Sequence, residues 1–365
     1  MSEPRTSAPA ERLPLKRRMM FALVAILIAI VATAGALLGI DVYLHGKYQK
    51  SAGFNVWGYR GPSLGRRQPG EYRVVVLGGS SAYGYGVDWA EAIPAQLEQR
   101  LAAANSGRTH RVANLAYNNE GAYSFRFTLE DYRGLNYDLA ILYEGYNDLM
   151  GDPRGPNLAI FRRDSPVFRL TGYLPIFPIV FKEKAAAMRG GNVSELYRLE
   201  GKTTFHANLA TRTVADVITA TAEISQSLEA QLGKVATQPE RRIVDVANTG
   251  CKYPWQEYCK SISDAVSYAV GQGKQVIVAT QPYEFGPVLR ARHMEQQGEM
   301  RAMLERKFGN NARVRYVNMG DVVDLGDPLL SFDRMHLTAK GNAVVAQAFV
   351  APVIDMAALQ QGTRH

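Results

Sequence analysis

The chain has 365 residues, 47% of them hydrophobic and 21% charged, with a formal net charge of +8. That is ample for one large globular domain, or one domain with additions. The six histidines are scattered without a metal-ligand pair at helical spacing, and there is no basic-aromatic motif. Metal chemistry and nucleic-acid binding are therefore not expected.

Lys16, Arg17 and Arg18 precede an uncharged run from Met19 to Ile40. A helix of that length rises about 33 Å, enough to cross a hydrocarbon core. Ala32-Thr33-Ala34 and Ala34-Gly35-Ala36 resemble signal-peptide cleavage sites. The apolar part of a signal peptide is typically about 7–15 residues, so the longer run favours an uncleaved anchor. The expected organisation is a basic cytoplasmic tail over 1–18, a transmembrane signal anchor over 19–40 and a juxtamembrane linker over 41–71. The rest of the chain lies outside the cytoplasm by the positive-inside rule, periplasmic or extracellular. Lys47, Lys50, Arg60, Arg66 and Arg67 follow with little acid between them. They read as a solvated linker, or as a surface for anionic lipid head groups or acidic glycans.

Val74-Val75-Val76-Leu77 is short, β-branched and closed by glycine, and reads as a buried parallel strand. It runs into the turn Gly78-Gly79-Ser80-Ser81. Apolar spacing predicts a helix over 91–105, a strand over 111–116, a helix over 124–135 and a strand over 138–145. An insertion at about 149–242 follows. It holds an apolar, Pro-rich piece around Pro166–Phe181 and a predicted helix over 211–232. That piece is open to three roles: a lid, a segment resting on the membrane, or packing over one end of the sheet. Cys251 and Cys259 lie close together in an exported chain, which favours a disulfide over a metal site, with free thiols as the alternative. The rhythm resumes with a helix over 261–273, a strand over 275–281, a helix over 288–308, a strand over 314–319 and a closing helix over 338–359. Five short strands alternating with helices predict an α/β fold, a doubly wound parallel sheet with helices on both faces. The domain is expected over 72–358, with a tail at 359–365.

Strand-end loops on one edge of such a sheet converge, and ligands bind there. Ser80 follows the first strand, Gly121 the second, Gly145, Asn147 and Asp148 the third, and Asp333 and His336 the fifth. Acyl transfer to a serine needs this set. The weak hydroxyl nucleophile needs a base, His336, and the base needs a carboxylate to fix its tautomer, Asp333. The tetrahedral oxyanion needs fixed donors, which a turn N–H, the Gly121 N–H and the Asn147 amide can supply. Ser81 is expected to cap or support the following helix. Asp148 is expected to support the site by hydrogen bonding. Tyr83, Tyr85, Tyr143 and Tyr146 form either a sugar platform or core packing.

The blocks Gly78-Gly79-Ser80, Gly121, Gly145-Tyr146-Asn147-Asp148 and Asp333-Arg334-Met335-His336 resemble those of the SGNH (GDSL-type) hydrolase superfamily. The resemblance covers roughly 72–148 and 274–358. It implies a flavodoxin-like three-layer sandwich, esterase or acyl-esterase activity, and Ser80 as a nucleophile whose own N–H joins the oxyanion hole. The chain departs from the pattern in carrying Gly79 where the family commonly has Asp. Its second-block glycine also lies far from its strand, so that Asn118 or Asn119 can fill the role given to Gly121.

A nucleotide site is excluded, since neither Gly-x-Gly-x-x-Gly nor Gly-Lys-Ser/Thr follows the first strand. The Gly-x-Ser-x-Gly elbow is missing too, because Ala82 stands in its last position. No cofactor is implied. The expected partners are an acylated glycan, peptidoglycan or lipid substrate and, through the N-terminal helix, the membrane. An O-acyltransferase with the same triad, or a non-catalytic glycan-binding subunit, are the competing functions.

Overall fold

The structure, a computed structural model, describes residues 14–48, 53–104, 107–149, 157–178, 180–181, 242–243 and 245–362. The predicted helix over 211–232 and most of the insertion lie outside the described residues.

The first element, α1 (Leu15–Tyr48), is apolar over most of its length, with Met19, Phe21, Leu23, Leu27 and Ile30 exposed around it. It is long and apolar enough to cross a membrane. It continues past Ile40 because Asp41 and His45 find buried partners on the domain.

Five strands form one parallel sheet: β1 (Tyr72–Gly78), β2 (His110–Asn114), β3 (Leu139–Tyr143), β4 (Gln275–Ala279) and β5 (Val314–Val317). Their order is β2-β1-β3-β4-β5, the flavodoxin-like doubly wound arrangement. Alternation within the strands divides the core into two layers. Val75, Leu77, Ala140, Leu142, Val276 and Val278 pack on one side against α4 (Ser124–Asp131), α7 (Gln256–Gly271) and α8 (Pro287–Phe308). Val74, Val76, Leu139, Ile141 and Ile277 face α3 (Ile93–Ala103) and α9 (Ala339–Gly362) on the other. Each fully buried Leu, Ile or Phe contributes about 1.5–3 kcal/mol relative to exposure.

Element edges differ from the sequence expectation for local reasons. The second strand ends at Asn114, two residues early, and the buried Asn114 side chain donates to the Tyr83 carbonyl at 3.1 Å. Helix α7 begins five residues before the predicted start, carrying buried Tyr258 and Cys259 into the core.

Cys251 and Cys259 are disulfide-bonded. Both sulfurs are buried, and the bond ties the loop before α7 to the helix itself. Thiol alkylation of unreduced, unfolded protein should find no free cysteine, and two alkylated thiols would contradict the bond. Chain entropy gives so short a loop about 2–3 kcal/mol, so reduction should lower the melting temperature by a corresponding amount.

Candidate active site

The sheet register brings the site together. Gly78, Tyr143 and Ala279 lie side by side at the ends of β1, β3 and β4. The chain after β2 stays close, since Tyr117 N–H donates to the Gly78 carbonyl. The strand order reverses direction at β1, the switch point beside which ligands bind in sheets of this kind.

Ser80 opens the short helix α2 (Ser80–Tyr83), so its N–H belongs to the first turn, whose amides have no intrahelical acceptor. Gly79 precedes it with no space for a side chain. A Cβ there would stand 2.1 Å from Asn147 Nδ2 and 2.7 Å from Glu144 Oε2. The departure at position 79 therefore matches its surroundings. Ser81 does not cap α2 as expected. Gly79 is the capping residue, and the buried Ser81 hydroxyl has no hydrogen-bond partner among the described residues.

His336 Nε2 lies 2.8 Å from Ser80 Oγ, and His336 Nδ1 lies 2.6 Å from Asp333 Oδ2. An ionised carboxylate only accepts, so the Nδ1 carries the proton and the Nε2 is free to accept from the serine hydroxyl. The other Asp333 oxygen takes the backbone N–H groups of Met335 at 3.0 Å and His336 at 2.6 Å. These bonds hold Asp333 and His336 in one tight turn before α9. Partial burial acts to raise the Asp333 carboxyl, but hydrogen bonds from the His336 ring and backbone outweigh it and keep it below the usual range.

The third wall is α5 (Tyr146–Leu149) and the residues before it. Asn147 Nδ2 donates to the Glu120 carbonyl at 2.8 Å, which fixes the amide beside Gly79 and leaves its second N–H available. Gly121 follows Glu120, and its α-carbon lies against the Asp148 carboxylate, which accepts the Ala122 N–H at 2.8 Å. Asp148 thus supports the second loop. Asn119 has positive φ and gives its carbonyl to Asn157, while Asn118 lines the cleft beyond Tyr85.

Sequence reasoning missed two residues. Glu144, fully buried, accepts N–H bonds from Gly79, Gly145 at 2.9 Å and Asn147 at 3.0 Å. One carboxyl thereby joins the serine turn to the asparagine loop. Its signal was a charge at the end of an otherwise apolar strand. The other is Arg60, placed in the solvated linker but in fact buried. It donates to the carbonyls of Tyr83, Gly84 and Val87, just past α2. Arg67 likewise leaves the solvated reading, pairing with Asp138 at 2.6 Å.

Burial, with the Asp148 charge adding to it, pushes Glu144 up to about 8, and burial pushes Asp148 up to about 7. The folded state then holds protons that the unfolded chain releases above the ordinary carboxylate range. Their stabilisation is full below about pH 4 and is lost as pH rises through 7 to 8. The melting temperature should therefore fall between pH 5 and pH 8.5, and Asp148→Asn should flatten the fall. An equally steep fall in the variant would contradict that source.

Tyr83, Tyr143 and Tyr146 are buried and serve as core packing, whereas Tyr85 is 38% exposed. Its ring lies 4.7 Å from the His336 ring and beside Phe332, at the edge of a cleft of about 610 Å³.

No protein-family model matches the chain, and no curated protein matches it. Among solved structures it is similar to LAE5, an alpha/beta hydrolase enzyme from the metagenome of Lake Arreo, Spain. The identity is 17%, over 78% of this chain and 95% of that one, with a TM-score of 0.42. It is also similar to a catalytic mutant of Axe2, an acetylxylan esterase from Geobacillus stearothermophilus. There the identity is 10%, over 77% and 93% of the two chains, with a TM-score of 0.40. A Clostridium thermocellum family 3 carbohydrate esterase aligns at 10% identity over 79% and 98%, with a TM-score of 0.41.

Proposed function

We propose that the chain is a membrane-anchored serine esterase of SGNH type that cleaves or transfers acyl esters, acetyl included, on envelope glycans or lipids. The observation that carries this reading is the hydrogen-bonded line Ser80–His336–Asp333, with the Asn147 amide beside the serine turn. The basic residues before the apolar run and the disulfide support a catalytic domain outside the cytoplasm.

In this mechanism Ser80 Oγ bonds to the ester carbonyl carbon while its proton moves to His336 Nε2. The Ser80 N–H, the Gly121 N–H and the free Asn147 N–H hold the oxyanion. The carbon–oxygen bond to the alcohol then breaks, and the alcohol takes the proton back from His336. Water, or an acceptor hydroxyl, repeats the sequence on the acyl-serine and frees Ser80. The exposed part of the Tyr85 ring offers a sugar or acyl group an aromatic surface beside the base.

The test is full-chain protein in proteoliposomes, offered O-acetylated polysaccharide, peptidoglycan and short-chain ester substrates. The reading expects release of the acyl acid, or its appearance on an added glycan acceptor. Well-folded protein that turns over none of these esters would overturn it.

A further inference from the structure

The end of α1 does not leave the membrane as a free tether. Asp41 Oδ1 accepts the N–H groups of Ile176 at 2.7 Å and Phe177 at 2.6 Å, and its other oxygen takes the Tyr173 hydroxyl. His45 reaches the Phe54 carbonyl with Nδ1 at 2.9 Å and the Leu174 carbonyl with Nε2 at 3.0 Å. Two residues of one helix, Asp41 and His45, therefore clamp two separate stretches of the domain. Leu44, Ile176 and Phe177 form a buried apolar cluster, with Leu37, Val180 and Phe181 packed against it.

Leu37 lies inside the uncharged run that ends at Ile40. From Arg18 to Leu37 a helix rises about 28 Å, close to the thickness of a hydrocarbon core. Whatever packs on Leu37 stands at the far boundary of the bilayer. The residues that do so, Ile176 and Phe177 with Val180 and Phe181, fall in the sequence LPIFPIVF (174–181), which carries no charge. The Ile176 and Phe177 N–H groups in this stretch are satisfied by Asp41, as backbone at an apolar boundary requires. Large amphipathic side chains surround the junction. Tyr43 and Trp57 are both exposed, and Trp57 adjoins Val56, whose carbonyl accepts the Leu174 N–H. Tyr and Trp favour this depth.

We infer that the partly exposed end of this stretch, Val180 and Phe181, is a second membrane contact, seated in the outer interface of the lipid bilayer against α1 with buried Ile176 and Phe177 behind it, and that it holds the domain in one orientation on the membrane. The inference rests on the reading of α1 as a span. A charged clamp at the boundary and an apolar segment beside it fix the domain where a tether would let it swing. The site then meets ester substrates at a constant height above the lipid.

Both native cysteines are paired, so single added cysteines can be labelled with an environment-sensitive fluorophore in full-chain protein in proteoliposomes. Phe181→Cys reports the segment, Leu27→Cys the middle of α1, and Arg301→Cys the solvent face of α8, with melting temperature as the check on folding. Lipids brominated near the head group should quench the label at 181 more than lipids brominated near the chain end. The label at 27 should show the reverse order and the label at 301 no quenching. Quenching at 27 but not at 181 would leave the span intact and overturn the second contact, with the segment then covered by protein or by another copy of the chain. Quenching at neither would overturn the span and the contact together.

Discussion

Ser80→Ala should lower kcat for ester hydrolysis by about 10⁶-fold, leaving KM and the melting temperature near those of the wild type. The reason is geometric. The hydroxyl bonds to His336 Nε2, and its loss removes the nucleophile without emptying the core. His336→Ala should cost a similar factor, and the double variant little more than either single one, since the two residues act as one unit. Steady-state kinetics on a reactive p-nitrophenyl ester, run beside thermal melts, measure both. An additive double variant, or a Ser80→Ala protein that keeps substantial turnover, would contradict the shared role.

Asn147→Ala should lower kcat by roughly 10²–10³-fold, about 3–4 kcal/mol, with little change in KM. The amide is held by the Glu120 carbonyl on one side and by the Glu144 carboxyl through its own backbone N–H. In the proposed mechanism it is therefore in place for charge that appears only in the transition state. Truncation also removes the bond to Glu120, which costs about 0.5–1.5 kcal/mol of stability. A purely structural asparagine would show that stability loss and no kcat loss. Asn147→Asp separates the two accounts further. It keeps the shape but sets a negative charge beside the oxyanion, so it should be at least as slow as the alanine variant. Full turnover in either variant would remove Asn147 from the oxyanion hole.

The sheet was legible because each strand is a short apolar run that ends in glycine or a polar loop, and such runs survive errors of one or two residues at their ends. The meeting of Ser80, Asn147, Asp333 and His336 at one edge was legible for the same reason: parallel strands put successive loops on one side. What lay hidden was buried charge. Glu144 and Arg60 look in sequence like any acid or base near a loop, and only their surroundings reveal carboxyl and guanidinium groups holding backbone on both sides of the serine turn. The extension of α1 past Ile40 was hidden too. Asp41 and His45 fall in the expected juxtamembrane linker until Ile176, Phe177, Phe54 and Leu174 supply partners distant in sequence. Gly79 stood out in the sequence only as a departure from the family pattern, yet the asparagine amide and the glutamate carboxyl already fill the space a side chain would need.

The most direct test of an acyl-serine enzyme is the mass of the enzyme itself. Full-chain protein treated with a fluorophosphonate should gain one adduct. Peptide mapping should place it on Ser80, and pretreatment with a slow ester substrate should delay its formation. A folded protein that gains no adduct, or carries it on another residue, would contradict Ser80 as the nucleophile.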